Sequence, residues 1–175
     1  MANTFNGNLW ILDTVDVIST SPVTIKKIVL VPNAGGDAVT FSCWSEQSTP
    51  ELAVYTATVT ASGANTLAST GNFTTASVDP GDIVTITKSD TGNNLGSFIV
   101  LTNADNNTVT VTAGDLTNEV GAVYDYTVHT PYTQAYIKSP GTEVMMTEID
   151  FGSGREFKNL VLSAIGTSAV VYIYL

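Results

Sequence analysis

The sequence predicts an all-β protein: an antiparallel, jelly-roll-like β-sandwich made from the two chain ends, with a small β-barrel inserted between them. Three observations carry this. Threonine is the commonest residue and valine is abundant, while the straight-chain helix formers Leu, Glu, Lys and Arg are sparse, a composition suited to pleated, half-buried surfaces. Apolar and polar residues alternate, as in Val84-Thr85-Ile86-Thr87 and Thr108-Val109-Thr110-Val111-Thr112, and no apolar series recurs at helical spacing. Turn residues punctuate the chain at the short intervals an all-β domain needs.

The first expected strand, 8–13, holds Leu9-Trp10-Ile11-Leu12 after an Asn-rich start. Strand 23–31 runs to the turn Pro32-Asn33-Ala34-Gly35-Gly36-Asp37, and strand 38–45 follows it. Strand 52–61 contains Ala53-Val54-Tyr55-Thr56-Ala57 and ends at Ser62-Gly63-Ala64-Asn65. Next come 65–70, then 82–88 after Asp79-Pro80-Gly81-Asp82, and 96–102 after Thr91-Gly92-Asn93-Asn94. Strand 107–113 follows Asp105-Asn106-Asn107, and 122–129 carries Val123-Tyr124-Asp125-Tyr126-Thr127-Val128. Strand 133–138 stops at Ser139-Pro140-Gly141, before strands 143–151, 157–163 and 169–175. The last of these is apolar on both faces, as in a strand covered on both sides, either centrally in a sheet or at a subunit contact.

Two segments near opposite ends look alike. Ile25-Lys26-Lys27-Ile28-Val29-Leu30, a turn and Ala38-Val39-Thr40-Phe41 parallel Phe157-Lys158-Asn159-Leu160-Val161-Leu162, a turn and Ala169-Val170-Val171-Tyr172. As paired hairpins they would draw the two ends into one sandwich. Residues 1–54 plus 129–175 then form the sandwich, and 55–128 an inserted barrel whose closure removes exposed edges.

Composition narrows function. Sixteen acidic and six basic residues give a net charge of −10, and the basic residues are scattered, so nucleic acid is not an expected partner. Charged residues are 13% of the chain against about 25% in ordinary soluble proteins, leaving a neutral surface inclined to associate. No apolar run reaches the roughly 20 residues of a membrane span, and no membrane association is expected. Met1-Ala2-Asn3-Thr4 lacks a secretory signal's basic and apolar regions, so the chain is expected either to be made in the cytoplasm or to have lost a leader.

Chemistry-bearing residues are few. His129 is the only histidine and falls at a strand end, where a junction residue is expected. Cys43 is the only cysteine, and beside Phe41 it reads as a buried thiol. Glu143 and Glu148 fall on opposite strand faces, and Asp79 and Asp82 read as turn formers. Asp90, Asn93 and Asn94, and separately Asp105, Asn106 and Asn107, offer oxygens to calcium but do not match an EF-hand loop. No phosphate loop or nucleophile elbow is present. No catalytic residue, metal ligand or cofactor is therefore assigned, and the chain is not expected to be an enzyme. The interface candidates are apolar residues at the chain ends: Phe5, Trp10, Tyr172, Tyr174 and Leu175.

The terminal patterns, Asn8-Leu9-Trp10-Ile11-Leu12-Asp13 with Ile25-Lys26-Lys27-Ile28 and Phe157 to Leu175, resemble small virion structural proteins of tailed bacteriophages. The middle, Gly81-Asp82-Ile83-Val84-Thr85-Ile86, Asn94-Leu95-Gly96-Ser97-Phe98-Ile99-Val100 and Asn107-Thr108-Val109-Thr110-Val111, resembles a β-barrel insert of such proteins. The resemblance implies a head decoration or cement protein at capsomer junctions, with a tail or head-to-tail position as the alternative. It also implies location in the virion, the major capsid protein or other virion proteins as partners, and a homo-oligomer, a trimer in preference to a dimer. Two other classes stand beside it. A carbohydrate-binding or adhesin module would use Trp10, Trp44, Tyr132 and Tyr136 as stacking platforms. A glycan hydrolase would need two carboxylates about 5–10 Å apart.

Overall fold

The computed structural model describes residues 3–44, 55–63, 65–73, 78–112, 116–141 and 144–175. The elements among them are β1 (Thr4–Asn6), β2 (Leu9–Leu12), β3 (Asp16–Ser19), β4 (Val23–Val31) and β5 (Ala38–Cys43). Then follow β6 (Tyr55–Ser62), β7 (Thr66–Ala68), β8 (Ile83–Ser89), β9 (Gly96–Asp105), β10 (Thr108–Val111) and β11 (Glu119–His129). The series ends with β12 (Tyr132–Lys138), β13 (Thr147–Phe157), β14 (Leu160–Ile165) and β15 (Val170–Tyr174). The protein is all-β, and the strands pair antiparallel. Two compact units emerge, Met1–Trp44 with Tyr132–Leu175, and Ser45–Pro131. The expected partition had cut the chain at 54/55 and 128/129.

The terminal unit contains a five-stranded sheet, β1-β2-β15-β4-β13, and a four-stranded sheet, β12-β5-β14-β3. One apolar cluster draws on both: Leu12, Ile28, Leu30, Val171 and Ile173 from the first, Val39, Phe41, Leu160 and Leu162 from the second. β15 lies between β2 and β4, and its Val171 and Ile173 face the cluster while Tyr172 and Tyr174 point to the other face.

The two look-alike segments are not hairpins. β4 and β5 belong to different sheets, as do β14 and β15, so each connection crosses between sheets. Their strands meet crosswise instead: β15 pairs with β4 and β14 with β5. The likeness also fails in detail. Ile25 to Leu30 lie inside β4, whereas Phe157 ends β13 and a turn at Asn159, with φ of 53°, precedes Leu160.

Other departures have local causes. β1 and β3, three and four residues long, were not expected from a polar start and a short run. β1 joins β2 through Gly7-Asn8, Gly7 having φ of 52°. β13 replaces the later part of strand 143–151 and the start of strand 157–163, continuing through a bulge between Asp150 and Arg155. The beginnings of strands 52–61 and 143–151 fall outside the described residues.

The turn before β5 is held by Asp37, whose carboxylate accepts the N–H groups of Asn33 and Ala34, both at 2.8 Å. Gly166 closes on it, with its N–H donating to the Ala38 carbonyl at 2.9 Å. A β-carbon at Gly166 would lie 2.6 Å from Asp37 Oδ1 and 2.9 Å from Asp37 Cβ. Gly166→Ala is therefore expected to lower the terminal unit's stability by about 1–3 kcal/mol through overpacking, read as an earlier urea midpoint.

The second unit is a closed barrel, β10-β7-β6-β11-β8-β9. Alternation does what the sequence implies: Val84, Ile86, Val109 and Val111 fill the interior, while Thr85, Thr108 and Thr110 face outward. Tyr124 and Tyr126 are also buried inside, Tyr126 against Phe73 at 5.4 Å between ring centroids. Outside, hydroxyls bond across strands, Thr85 to Ser97 at 2.9 Å and Thr102 to Thr110 at 2.6 Å. Such pairs stabilise a sheet without charge.

Candidate interface

Register fixes which side chains leave the five-stranded sheet. Leu12, Val171 and Leu30 align across β2, β15 and β4 and are fully buried. The next row, Ile11, Tyr172 and Val29, points the other way and is half-buried. Leu9 and Tyr174 belong to the same outer face, with Tyr174 42% exposed. Thr4 and Asn6 border this apolar strip on β1. On its β4 and β13 side Lys27 and Glu148 form an ion pair at 2.7 Å. An apolar centre inside a polar rim is the anatomy of a protein contact surface.

The five interface candidates do not share this face. Tyr172 and Tyr174 lie on it, whereas Phe5 and Trp10 align with Ile173, on the opposite side of the sheet. Their rings meet edge to face, 5.3 Å apart, with Trp10 packed on the core and Phe5 49% exposed. Leu175 closes the strand end: its N–H donates to the Asn8 carbonyl at 3.0 Å, and its carbonyl accepts Lys26 Nζ at 2.9 Å. A further apolar run, Val144-Met145-Met146, is exposed just before β13.

The stacking platforms divide as well. Trp44 is buried and its carbonyl accepts Asn159 Nδ2 at 2.9 Å, so its ring has no open face for a sugar. Tyr132 and Tyr136 are exposed on β12. Cys43 sits in the core, where burial pushes its thiol up to about 11 and keeps it protonated. His129 Nε2 lies 3.0 Å from the Thr127 hydroxyl. Glu143 lies outside the described residues.

Asp82 forms its turn by accepting the Asp79 N–H at 2.9 Å. Burial pushes its carboxyl up, against hydrogen bonds from Asp79 and Thr130. The loops considered for calcium spend their side chains internally. Asp105 accepts the Asn107 N–H at 2.7 Å, and Asn94 Oδ1 accepts the Thr117 N–H at 2.8 Å. Among the described residues, no group of three or more His, Cys, Asp or Glu side chains could hold a metal, and no helix is long and apolar enough to cross a membrane.

The densest polar constellation surrounds a residue that sequence reasoning missed. Glu119 is 7% exposed and receives the hydroxyls of Thr91 and Tyr124 together with Asn93 Nδ2 at 2.9 Å and Asn94 Nδ2 at 3.0 Å. Asn94 also donates to Tyr124 Oη at 2.8 Å. Burial raises the Glu119 carboxyl, but the hydrogen bonds together outweigh it and hold the group below its ordinary range. Burial, then the bond to Glu119, pushes the Tyr124 phenol up to about 12. The cluster ties the β8–β9 loop to β11; it joins a single carboxylate to neutral donors.

Compared with known proteins, the chain matches no family model, no curated protein and no solved structure.

Proposed function

We propose that this chain is a structural component of a virus particle, a head decoration protein of a tailed bacteriophage acting as a homo-oligomer at capsomer junctions. The tail or the head-to-tail junction is the second position. The observation that carries the proposal is the outward apolar strip of Leu9, Ile11, Val29, Tyr172 and Tyr174 inside its polar rim. A net charge of −10 favours solubility before assembly and opposes attachment to genome, while low charge density makes desolvation at subunit junctions inexpensive. The two sheets of the terminal unit are read here as a jelly-roll-like sandwich, supported by the cluster they share. The sequence resemblance supplies the virion as location and the major capsid protein as partner.

Quantitative mass spectrometry of purified particles tests this. Copies in the hundreds support a shell position, and six or twelve a tail or vertex one. Absence from the particle overturns the proposal. Tyr132 and Tyr136 on β12 keep a carbohydrate-binding reading in play, tested by glycan-array binding of the Tyr132→Ala, Tyr136→Ala double variant.

A further inference from the structure

The barrel carries a groove of about 500 Å³ on its outer wall, lined by nine residues of which none is charged and none aromatic. Its volume lies within the range of small-molecule sites. It exists because β7 is short. β7 pairs with β6 only from Thr60 to Ser62, and after Ala68 the chain turns away, leaving Thr56 to Thr58 beside a cleft instead of a strand. The turn at residues 69–72 and Asn107 form the opposite bank.

The polar groups on that bank are held in place. Asn72 Nδ2 donates to Ser69 Oγ at 2.8 Å and to the Thr70 carbonyl at 3.2 Å, leaving Oδ1 to accept. Asn107 Oδ1 accepts the Gly71 N–H at 2.9 Å, leaving Nδ2 to donate. The hydroxyls of Thr58 and Thr70, which make no hydrogen bond to the described residues, can do either. The groove thus presents donors and acceptors side by side, with the methyl of Ala68 on its wall, while Ala57 contributes backbone and turns its methyl inward with Val59 and Ala61.

We infer that the groove is a binding site for a neutral saccharide. Vicinal hydroxyls both donate and accept, matching the Asn72, Asn107 and threonine groups, and the C–H face of a sugar ring can rest on the Ala68 methyl. Asp125, which accepts Thr56 Oγ1 at 2.6 Å, and Asp105, which accepts the Asn107 N–H, place negative charge at the margins and disfavour anionic sugars. An added peptide strand is the poorer fit. The Thr58 carbonyl it would need already accepts Ser69 Oγ at 2.7 Å. The site is open, so single-copy affinity is weak, and repeated copies would bind by avidity.

NMR titration of the full chain with neutral trisaccharides of glucose, galactose, mannose and N-acetylglucosamine, and with sialyllactose, tests the inference. At least one neutral trisaccharide is expected to saturate with a Kd of about 1 mM, shifting Thr58, Thr70 and Asn107 resonances, while sialyllactose does not bind. Thr58→Val and Thr70→Val preserve side-chain shape and should each weaken binding about 3–10-fold; Tyr132→Ala with Tyr136→Ala should leave it unchanged. No saturable shift with any neutral trisaccharide, unchanged affinity in both threonine variants, or occupation of the groove by an uncharged Thr/Ser/Ala peptide instead would each overturn it.

Discussion

Replacing Phe41 by alanine is expected to lower the stability of the terminal unit by about 3–5 kcal/mol. Phe41 is fully buried in β5, pairs with Ala135 on β12 and Leu162 on β14, and belongs to the cluster filled from both sheets. Its removal leaves a cavity between rigid neighbours and forfeits the transfer energy of the ring. The barrel's cluster shares no residue with this one. Hydrogen exchange should therefore lose protection in β2, β4, β5, β14 and β15 while β8 to β11 keep theirs. Equal loss in the barrel strands would show that the two units unfold as one.

Replacing Glu119 by glutamine is expected to destabilise the barrel by about 2–3 kcal/mol, the scale of hydrogen bonds to a charged group. The substitution turns one acceptor oxygen into a donor facing the Thr91 and Tyr124 hydroxyls and the Asn93 and Asn94 amides. The same geometry predicts a pH dependence. Since the folded-state value of Glu119 is depressed, its contribution is present above the ordinary value of 4.5 and is lost as pH falls through the folded value. Asp82 acts with the opposite sign. Its raised value makes its contribution complete below 3.8 and lost as pH rises through the folded value. Melting followed between pH 3 and 6 should show acidification shifting the barrel of Glu119→Gln less toward unfolding than that of wild type, the Asp82 contribution being common to both. A variant as acid-sensitive as wild type would remove Glu119 from this role.

The barrel was legible because its strands keep phase: Val84 and Ile86, or Val109 and Val111, turn inward at every second position. Glu119 was hidden because β11 breaks phase. Both Glu119 and Ala122 are buried while Val120 and Gly121 are exposed between them, Gly121 having φ of 69° in a bulge. Strict alternation places residue 119 on the outside with Val123. Its donors come from a separate loop, and nothing local in Thr91 to Asn94 announces a shared acceptor. The sheet crossings after β4 and β14 were misread for a related reason. Alternation reports which face a residue takes but not which strand lies beside it, so a turn that crosses between sheets and one that folds back read alike. The interface candidates were chosen for apolarity at the ends of the chain, and only register separates Tyr172 and Tyr174 from Phe5 and Trp10.

The place of β15 has a consequence for synthesis. The barrel strands form one continuous stretch from Tyr55 to His129, so the barrel can close as soon as that stretch has emerged. The five-stranded sheet must wait. Its middle strand is the last to be made of those among the described residues, and until then β2 and β4 have no neighbour between them. During that interval β2 and β4 present unpaired edges and for most of it the facing sheet still lacks β12 and β14, which makes the nascent terminal segment, rather than the barrel, the part of the chain that calls for chaperone protection.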